Sequence, residues 1–155
     1  MRLSTLCYIT CQSQYLMLYR NKKENDLNEG KWIGLGGKIE EGETPLQGVI
    51  REVMEEAGFT MQESQVTDIG LVHFRSDTWE DEEMYLFKAD LPEKPELIDC
   101  NEGTLHWVDS DKVLELPTWE GDHYFLEAMF EGKTDIHLTL SYEGDKLVKV
   151  IDHNE

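Results

Sequence analysis

Residues 37–59 read GKIEEGETPLQGVIREVMEEAGF and contain the signals of one well-defined helix. Thr44 is a typical N-cap residue, and Pro45 suits the first helical position because it lacks a backbone N–H that would otherwise be unpaired there. Gly58 suits the left-handed position that follows the last turn of a helix. These residues predict a helix over Pro45–Ala57.

The predicted helix has an apolar face and a separate acidic face. At about 100° per residue the apolar side chains share one arc, which is formed by Leu46, Val49, Ile50, Val53 and Ala57. Glu52, Glu55 and Glu56 share a different arc, with Gly48 one turn earlier. Neighbouring glutamates repel each other by roughly a few tenths of a kcal/mol per pair. The acidic arc is therefore either a solvated surface or a site for a hard divalent cation. Because Gly48 has no side chain, a ligand is expected to approach the helix closely at that position.

The spacing of nine residues in this stretch matches a known motif. Gly37 is followed after five residues by Glu43, and after seven more by the run Arg51–Phe59. This pattern resembles the Nudix box, G-x5-E-x7-R-E-U-x-E-E-x-G-U with U aliphatic or aromatic, at every fixed position. The resemblance favours the cation site over the solvated surface.

The resemblance to the Nudix family implies an α/β/α sandwich with a mixed central sheet and hydrolysis of nucleoside diphosphates linked to a further group. It also implies Mg²⁺ or Mn²⁺ as the cofactor that assists the attack of water on phosphorus. The implied metal-binding groups are Gly36, Gly37, Glu52, Glu55, Glu56 and Glu102. Arg51 would orient the carboxylates and Glu43 would support the loop behind them. The general base stays open among Glu55, Glu56 and Glu102, of which Glu102 otherwise reads as an ordinary acidic turn residue.

A wider resemblance covers most of the chain and concerns the substrate. Segments 31–38, 100–105 and 117–123 look like the MutT/MutX group of 8-oxo-dGTP diphosphatases. In that group a Trp stacks on the purine and a nearby acid binds its edge, which are roles that the resemblance gives to Trp119 and Asp122. Without it, these two read as a core aromatic and a first-turn acid. The full set of candidate substrate-binding residues is Lys23, Leu27, Ile33, Lys38, Trp119 and Asp122.

The expected function is Mg²⁺-dependent hydrolysis of oxidised purine nucleoside triphosphates, 8-oxo-dGTP preferred, to the monophosphate and pyrophosphate. Ile33 departs from the pattern, because the human homologue of MutT has there an Asn that reads the purine, so direct readout of the base is expected to differ. Hydrolysis of ADP-ribose or of dinucleoside polyphosphates is the alternative within the family. A sensor without catalysis is a further alternative, although it would be expected to lose box carboxylates that this chain retains.

Charge is unevenly distributed along the 155 residues, which carry 33 acidic and 14 basic side chains for a net charge of -19. Residues 1–38 have a net charge of +3, and the rest of the chain has -22. Such an acidic body argues against nucleic-acid or membrane partners, since phosphate contacts need a basic surface. Lys22, Lys23, Lys31 and Lys38 either attract a triphosphate or are ordinary solvated lysines, and Lys38 beside Gly37 is the leading candidate. The run Asp77–Glu83 is expected to be solubilising charge.

The rest of the pattern predicts one mixed α/β domain over residues 1–155. The predicted strands are Leu3–Thr10, Tyr15–Tyr19, Val66–Phe74, Glu83–Ala89, Gly103–Val108, Ile136–Tyr142 and Lys146–Ile151. Gly34, Gly36 and Gly37 indicate irregular backbone. A second helix is predicted over Thr118–Phe130, with four inward side chains at Tyr124, Phe125, Ala128 and Met129.

Cysteine and histidine positions indicate neither a disulfide framework nor a zinc site. The three cysteines form no CxxC pair, and the five histidines are scattered without HExxH or His-x-His spacing. A reducing compartment is the default for such a chain. The N-terminus does not read as a signal peptide, and no apolar run approaches the roughly 20 residues that span a bilayer. We expect a cytoplasmic protein; its oligomeric state is not predicted.

Overall fold

The computed structural model describes all of residues 1–155 and is built on an eight-stranded mixed sheet. Its strands are β1 (Arg2–Cys11), β2 (Gln14–Tyr19), β3 (Trp32–Ile33), β4 (Val66–Ser76), β5 (Glu82–Asp90), β6 (Thr104–Asp109), β7 (Ile136–Glu143) and β8 (Lys146–Asp152). The strand order is β3-β2-β1-β5-β4-β7-β8, and β6 also pairs with β2. The β1–β5 and β4–β7 pairs are parallel and the others are antiparallel. All seven predicted strands are present, and only the short β3 was missed.

Helices α1 (Pro45–Ala57) and α2 (Asp122–Phe130) cover opposite faces of the sheet. Alternate residues of β1 enter two separate apolar clusters, because successive strand side chains point to opposite faces. Cys7 packs in the cluster that contains α1, whereas Tyr8 packs in the cluster that contains α2. This arrangement confirms the predicted α/β/α sandwich. Neither helix has the length and apolar character needed to cross a bilayer.

Helix α1 begins and ends where the sequence predicts. The Thr44 hydroxyl accepts a hydrogen bond from the Gln47 backbone N–H at 3.1 Å, and the Gln47 side chain accepts from the Thr44 N–H at 2.9 Å. Gly58 adopts a left-handed conformation with φ of 89° and donates to the Met54 carbonyl. Val49 and Val53 are fully buried, as expected of the apolar face.

Helix α2 is shorter than predicted, because it begins at Asp122 and not at Thr118. The backbone before it makes other bonds: the Gly121 N–H donates to the Tyr142 hydroxyl at 2.8 Å. The inward position of Tyr124 was also wrong, since this side chain is 47% exposed. Leu126 is buried in its place, beside Phe125 and Met129.

The glycine-rich segment after β3 is irregular, as predicted, and it runs along β1 through two isolated bridges, Cys7 with Leu35 and Ser4 with Lys38. Leu35 and Cys7 exchange both of their backbone hydrogen bonds, at 2.6 and 3.0 Å. Further along, the Thr5 N–H donates to the Gly37 carbonyl at 2.9 Å. This pairing fixes Gly36 and Gly37 directly above the acidic side chains of α1.

Candidate functional site

A cleft of about 460 Å³ opens beside the glycine-rich segment and contains most of the predicted site residues. The predicted residues that line it are Lys23, Leu27, Ile33, Gly36, Gly37, Lys38, Glu52, Glu102, Trp119 and Asp122. Glu56 lies behind Gly36. Arg51 and Glu55 lie outside the cleft, in a shallow depression that shares Lys38 and Glu52 with it. Glu52 and Glu102 therefore line the same cleft as Trp119 and Asp122.

Glu56 is the most buried of the box glutamates, with 6% of its surface exposed. Its Oε1 accepts a hydrogen bond from the Gly36 N–H at 2.9 Å, while Oε2 is buried and has no hydrogen-bond partner. Burial raises the pKa of Glu56 well above its usual value, and the charges of Glu102 and Glu52 raise it further. The three carboxylates are thus close enough to repel one another.

Glu52 lies directly beneath Gly37. A Cβ atom at Gly37 would be 2.7 Å from the Glu52 carboxyl carbon, so the absence of a side chain makes room for this carboxylate. Burial raises the pKa of Glu52, partly offset by Arg51. Glu102 approaches from the loop before β6, where Arg20 Nη1 lies 3.0 Å from its Oε2.

Arg51 connects the carboxylates of the box. Its Nε and Nη2 donate to the two oxygens of Glu43 at 2.7 and 3.0 Å, and its Nη1 donates to Glu52 at 2.9 Å and to Glu55 at 3.2 Å. The Arg51 guanidinium holds the pKa of Glu43 below its usual value. Glu43 also accepts from the Glu40 N–H, which ties the loop before α1 to this ion-pair network.

Gly48 has a packing role that differs from the predicted one. It is buried, and a Cβ atom there would be 3.3 Å from Glu43 Oε1 and 3.6 Å from Ile39. The missing side chain lets the loop before α1 pack closely on the helix. The expected approach of a ligand past Gly48 was therefore wrong.

The acidic end has the donor chemistry of a hard divalent cation. Carboxylate oxygens are the ligands that Mg²⁺ and Mn²⁺ prefer, and Glu56 Oε2 is a buried acceptor without a partner. Glu52 is held by Arg51 and Glu102 by Arg20, and no three ligating side chains enclose a common point in the chain as it stands. The residues fit such a cation by their oxygen atoms and their charge, and Glu52 and Glu56, with Glu102 close to both, would be the residues to hold it.

Trp119 is fixed on the cleft wall by polar and aromatic contacts. Its Nε1 donates to Asn28 Oδ1 at 2.8 Å, and Lys31 Nζ lies 4.4 Å from the ring centre. Tyr142 and Trp79 meet the ring edge to face, at centroid distances of 5.5 and 5.6 Å. Trp119 is thus a partly buried cleft residue with well-defined neighbours.

Trp79 is a cleft residue that the sequence interpretation missed. It belongs to the run Asp77–Glu83, which we predicted to be solubilising charge, yet Trp79, Glu80 and Glu82 all line the cleft. A tryptophan isolated among acidic residues was the available signal, because a purely solvated loop rarely contains so large an apolar side chain.

Asp122 is the first residue of α2 and is 5% exposed. Burial raises its pKa to about 7, although the nearby charge of Lys31 acts in the opposite direction. A carboxyl group with this pKa exists in both forms near neutral pH, so it either donates or accepts a hydrogen bond. Its position on the cleft wall makes both forms available to a ligand.

A chain of polar contacts connects Trp119 to Glu102. The side chain of Trp119 donates to Asn28, and the backbone N–H of Asn28 donates to Asp26 Oδ1 at 3.1 Å. Asp26 Oδ2 in turn accepts from Arg20 Nε at 2.7 Å. The other side of the Arg20 guanidinium meets Glu102. Arg20 and Asp26 are almost completely buried, with side chains 9% and 5% exposed. None of the three intermediate residues was predicted from the sequence.

The four candidate lysines have different environments. Lys23 and Lys38 are exposed and line the cleft, as expected of groups that attract a triphosphate. Lys22 instead donates to the Cys100 carbonyl at 3.0 Å, and Lys31 packs on Trp119. Two of the four are therefore engaged in contacts within the protein.

Comparison with known proteins gives consistent matches. The family model described as the NUDIX domain matches residues 1–129. YvcI, a Nudix hydrolase of Bacillus subtilis, is 29% identical over 140 residues, which cover 89% of this chain and 85% of the relative. The oxidized purine nucleoside triphosphate hydrolase of Danio rerio is 33% identical over 113 residues, or 72% of this chain and 70% of that protein. The crystal structure of a MutT protein from Bacillus halodurans matches with a TM-score of 0.86 and 28% identity, covering 100% of this chain and 99% of that one.

Proposed function

The chain belongs to the Nudix hydrolase family, and on this premise we propose that it hydrolyses oxidised purine nucleoside triphosphates, 8-oxo-dGTP preferred, to the monophosphate and pyrophosphate. The observation that carries the proposal is one cleft lined by the box carboxylate Glu52 and by Glu102 as well as by Trp119 with Asp122. The names of the Danio rerio relative and of the Bacillus halodurans structure support it. Such an activity would remove oxidised nucleotides from a cytoplasmic pool before they enter DNA.

We infer that the whole of residues 1–155 acts as one domain. The family match ends at residue 129, but β7 and β8 lie beyond it and continue the same sheet through the parallel pairing of β7 with β4. Tyr142 in β7 contacts Trp119 and bonds the residue before α2. Strand β7 therefore contributes to the cleft through Tyr142, and β8 extends the same sheet.

In the proposed mechanism Glu52 and Glu56 would hold Mg²⁺, or Mn²⁺ in its place, with the carboxylate of Glu102 close to both. The cation would neutralise phosphate charge and make water a better nucleophile. Gly36 orients Glu56 through its N–H, and Arg51 holds Glu52 at the base of the cleft. Lys38 and Lys23 line the cleft as positive charges for the phosphate chain.

Among the three candidate bases, Glu102 has the arrangement that suits proton abstraction. Its side chain is 36% exposed and lines the cleft, so water can reach it. Glu56 is buried against Gly36 and has a raised pKa, whereas Glu55 lies outside the cleft on Arg51. We propose Glu102 as the base, with Glu56 and Glu52 as metal-binding carboxylates.

On the wall of the same cleft, Trp119 would stack on the purine and Asp122 would bind its edge. An aromatic face binds every base, so selectivity has to come from hydrogen bonds. In its protonated form Asp122 donates to a base acceptor, and in its ionised form it accepts from a base N–H. Ile33 and Leu27 would supply apolar contacts around the nucleoside.

The substrate proposal is tested with a panel of 8-oxo-dGTP, dGTP, ADP-ribose and a diadenosine polyphosphate in the presence of Mg²⁺. We expect the highest kcat/KM for 8-oxo-dGTP, with pyrophosphate and not phosphate released. Trp119→Ala should reduce kcat/KM for 8-oxo-dGTP about tenfold or more, since loss of base stacking costs roughly 1–3 kcal/mol. A clear preference for ADP-ribose would exclude the proposed substrate while leaving the Nudix assignment intact.

The catalytic roles are tested with single glutamate-to-glutamine variants. We expect Glu102→Gln and Glu56→Gln to reduce kcat by about 100-fold or more, because a general base contributes roughly 10²–10⁴ and loss of a metal ligand has a comparable effect. Glu55→Gln should have a much smaller effect, and Glu127→Gln, an exposed acid on α2, should have none. Wild-type turnover in Glu102→Gln would show that another group accepts the proton.

A further inference from the structure

Three of the five histidines meet on one face of the sheet, although they are far apart in the sequence. His73 lies in β4, His137 lies in β7, and His153 follows β8. The His153 N–H donates to the His137 carbonyl at 2.9 Å, so these two residues are neighbours across the β7–β8 pair. The adjacent residues Val72 and Leu138 belong to the apolar cluster on the α2 side, so the histidines point to the opposite face.

The ring nitrogens of His73 and His137 are about as close as two nitrogens that share a metal ion, and the His153 ring packs beside them. His73 Nε2 and His137 Nε2 are 2.9 Å apart. Two nitrogens bound to one zinc ion, each at about 2.0–2.1 Å, are separated by roughly 3–3.5 Å in tetrahedral geometry. The ring centroids are 5.0 Å apart for His73 and His137, 4.3 Å for His137 and His153, and 6.0 Å for His73 and His153.

A carboxylate lies behind His73 in the position that metal-binding histidines commonly use. His73 Nδ1 is 3.3 Å from Glu83 Oε1, and this nitrogen is buried without a well-formed hydrogen bond. When the opposite ring nitrogen binds a metal, the Nδ1–H is normally donated to a carboxylate or a carbonyl, which orients the ring. Glu83 lies opposite His73 on the neighbouring strand β5, so it would accept this hydrogen bond from its present position.

We propose that His73, His137 and His153 form a second cation site, which binds a borderline divalent transition-metal ion such as Zn²⁺. Imidazole nitrogens suit Zn²⁺, Ni²⁺ and Cu²⁺, whereas the oxygen donors of the cleft suit Mg²⁺. None of the three histidines lines the cleft. The site therefore goes beyond the proposed hydrolysis, and its loss should leave that activity in place.

Binding requires one local rearrangement. As the chain stands, no three ligating side chains enclose a common point, and His153 Nε2 lies 2.7 Å from the Thr139 hydroxyl. His153 is exposed and turns away from Thr139 to complete the site. The hydrogen bond between His73 and His137 is replaced by two metal–nitrogen bonds, and the proton of His73 resides on Nδ1 beside Glu83. The metal ion then joins β4 to the β7–β8 hairpin.

The test uses Zn²⁺ as the probe and keeps the carboxylate site occupied with excess Mg²⁺. Zn²⁺ is titrated into the intact chain by calorimetry, and the histidine Cε1–H signals are followed by NMR. We expect one equivalent of Zn²⁺ to bind and to shift three of the five histidine signals, with His106 and His123 as internal controls. Melting should occur at a higher temperature with Zn²⁺ than without it, because the ion binds only the folded chain.

Two variants test which histidines bind the ion. His137→Asn and His153→Asn should each weaken Zn²⁺ binding at least tenfold, and His123→Asn should not change it. His153 is exposed, so its variant tests the site even if His137→Asn impairs folding. The proposal is overturned if stoichiometric Zn²⁺ leaves the three signals in place, or if the His153 variant binds Zn²⁺ as the wild type does. Either result would leave only a hydrogen-bonded histidine cluster.

Discussion

Asp122 shows how burial alone gives one carboxyl group an unusual acidity. Most of the 33 acidic residues of the chain are solvated, but Asp122 is enclosed between α2 and the cleft wall with only Lys31 to oppose desolvation. Its charge also raises the pKa of Tyr142, which lies on the same wall. Ionisation of Asp122 therefore costs folding free energy.

The cost of ionising Asp122 has a defined pH dependence. In the unfolded chain its pKa is about 4, whereas burial raises the pKa to about 7 in the fold. The folded state then binds more protons between these values, so stability is full below about pH 4 and decreases as the pH rises to about 7. Asp122→Asn removes this loss, and we expect it to raise the free energy of unfolding by up to about 4 kcal/mol at about pH 8.

The measurement is urea unfolding of the wild type and of Asp122→Asn at about pH 5 and at about pH 8. The difference between the two proteins should be larger at the higher pH. Asp145→Asn, in the exposed turn of the β7–β8 hairpin, serves as the control and should show no such pH dependence. An equal difference at both values would mean that Asp122 is ionised throughout the range.

The positions of individual site residues could be predicted from the sequence where a motif fixes their spacing. Glu52 and Glu56 are on the predicted face of α1 because their helical positions depend only on local geometry. Arg20 and Asn28 escaped prediction, since their importance arises from contacts with Glu102 and Trp119, which are distant in the chain. A contact of this kind has no counterpart in local sequence pattern.

At the scale of elements, the glycine-rich segment and α1 form one unit in which two adjacent glycines have different constraints. A Cβ atom at Gly36 would lie 2.0 Å from the backbone oxygen of Thr5, and β1 has no freedom to move away. A Cβ atom at Gly37 would meet only the end of the Glu52 side chain, which can change rotamer. The first glycine therefore maintains the fold and the second maintains the carboxylate position.

This difference predicts opposite results for two alanine variants. Gly36→Ala should lower the melting temperature strongly, because overpacking against backbone costs about 1–3 kcal/mol or more. Gly37→Ala should retain a melting temperature near that of the wild type but lose at least about tenfold in kcat, since displaced groups in an active site carry large rate penalties. Thermal unfolding and steady-state kinetics on both variants provide the measurement. Loss of folding in Gly37→Ala with normal folding in Gly36→Ala would contradict this reading.

The elements also show why helix ends differ in predictability. Both ends of α1 depend on side chains within the helix and its caps, Thr44 and Gly58, so the sequence alone predicts them. The start of α2 depends on Tyr142 from β7, whose hydroxyl binds the Gly121 N–H. A boundary fixed by a distant strand requires the tertiary structure.

For the whole molecule, the net charge of -19 is a source of self-repulsion in the compact state. Raising NaCl from about 0.01 M to about 1 M shortens the Debye length from about 30 Å to about 3 Å. We therefore expect the melting temperature to rise with salt in the absence of divalent cations. Differential scanning calorimetry across this range measures the effect.

A charge-reduced variant provides the comparison for the salt response. Glu63, Glu93, Glu127 and Asp145 are all exposed, and replacing them by the corresponding amides removes four negative charges away from the cleft. The variant should melt at a higher temperature at low salt and respond less to added NaCl. A melting temperature that falls with salt in the wild type would show that its ion pairs outweigh the repulsion.

The fold class was predicted from the sequence, but the strand order and the strand pairing were not. Strand and helix positions follow from local pattern, and the resemblance supplied the sandwich. The parallel pairing of β1 with β5 and the path of residues 34–38 along β1 had no local signal. The cleft is assembled from loops that these pairings bring together, and for this reason Trp79 went unnoticed among its acidic neighbours.

The chain of polar contacts from Trp119 to Glu102 connects two residues of the cleft wall, so a displacement of one affects the position of the other. If Trp119 stacks on the purine and Glu102 is the base, as proposed, a well-seated purine would keep Asn28 in place and, through Asp26 and Arg20, would also keep Glu102 in position. A base that tilted the Trp119 ring would disturb the same series of bonds. Discrimination between bases would then be expressed in turnover more than in affinity. A nucleotide with the wrong base would lose more in kcat than in binding affinity.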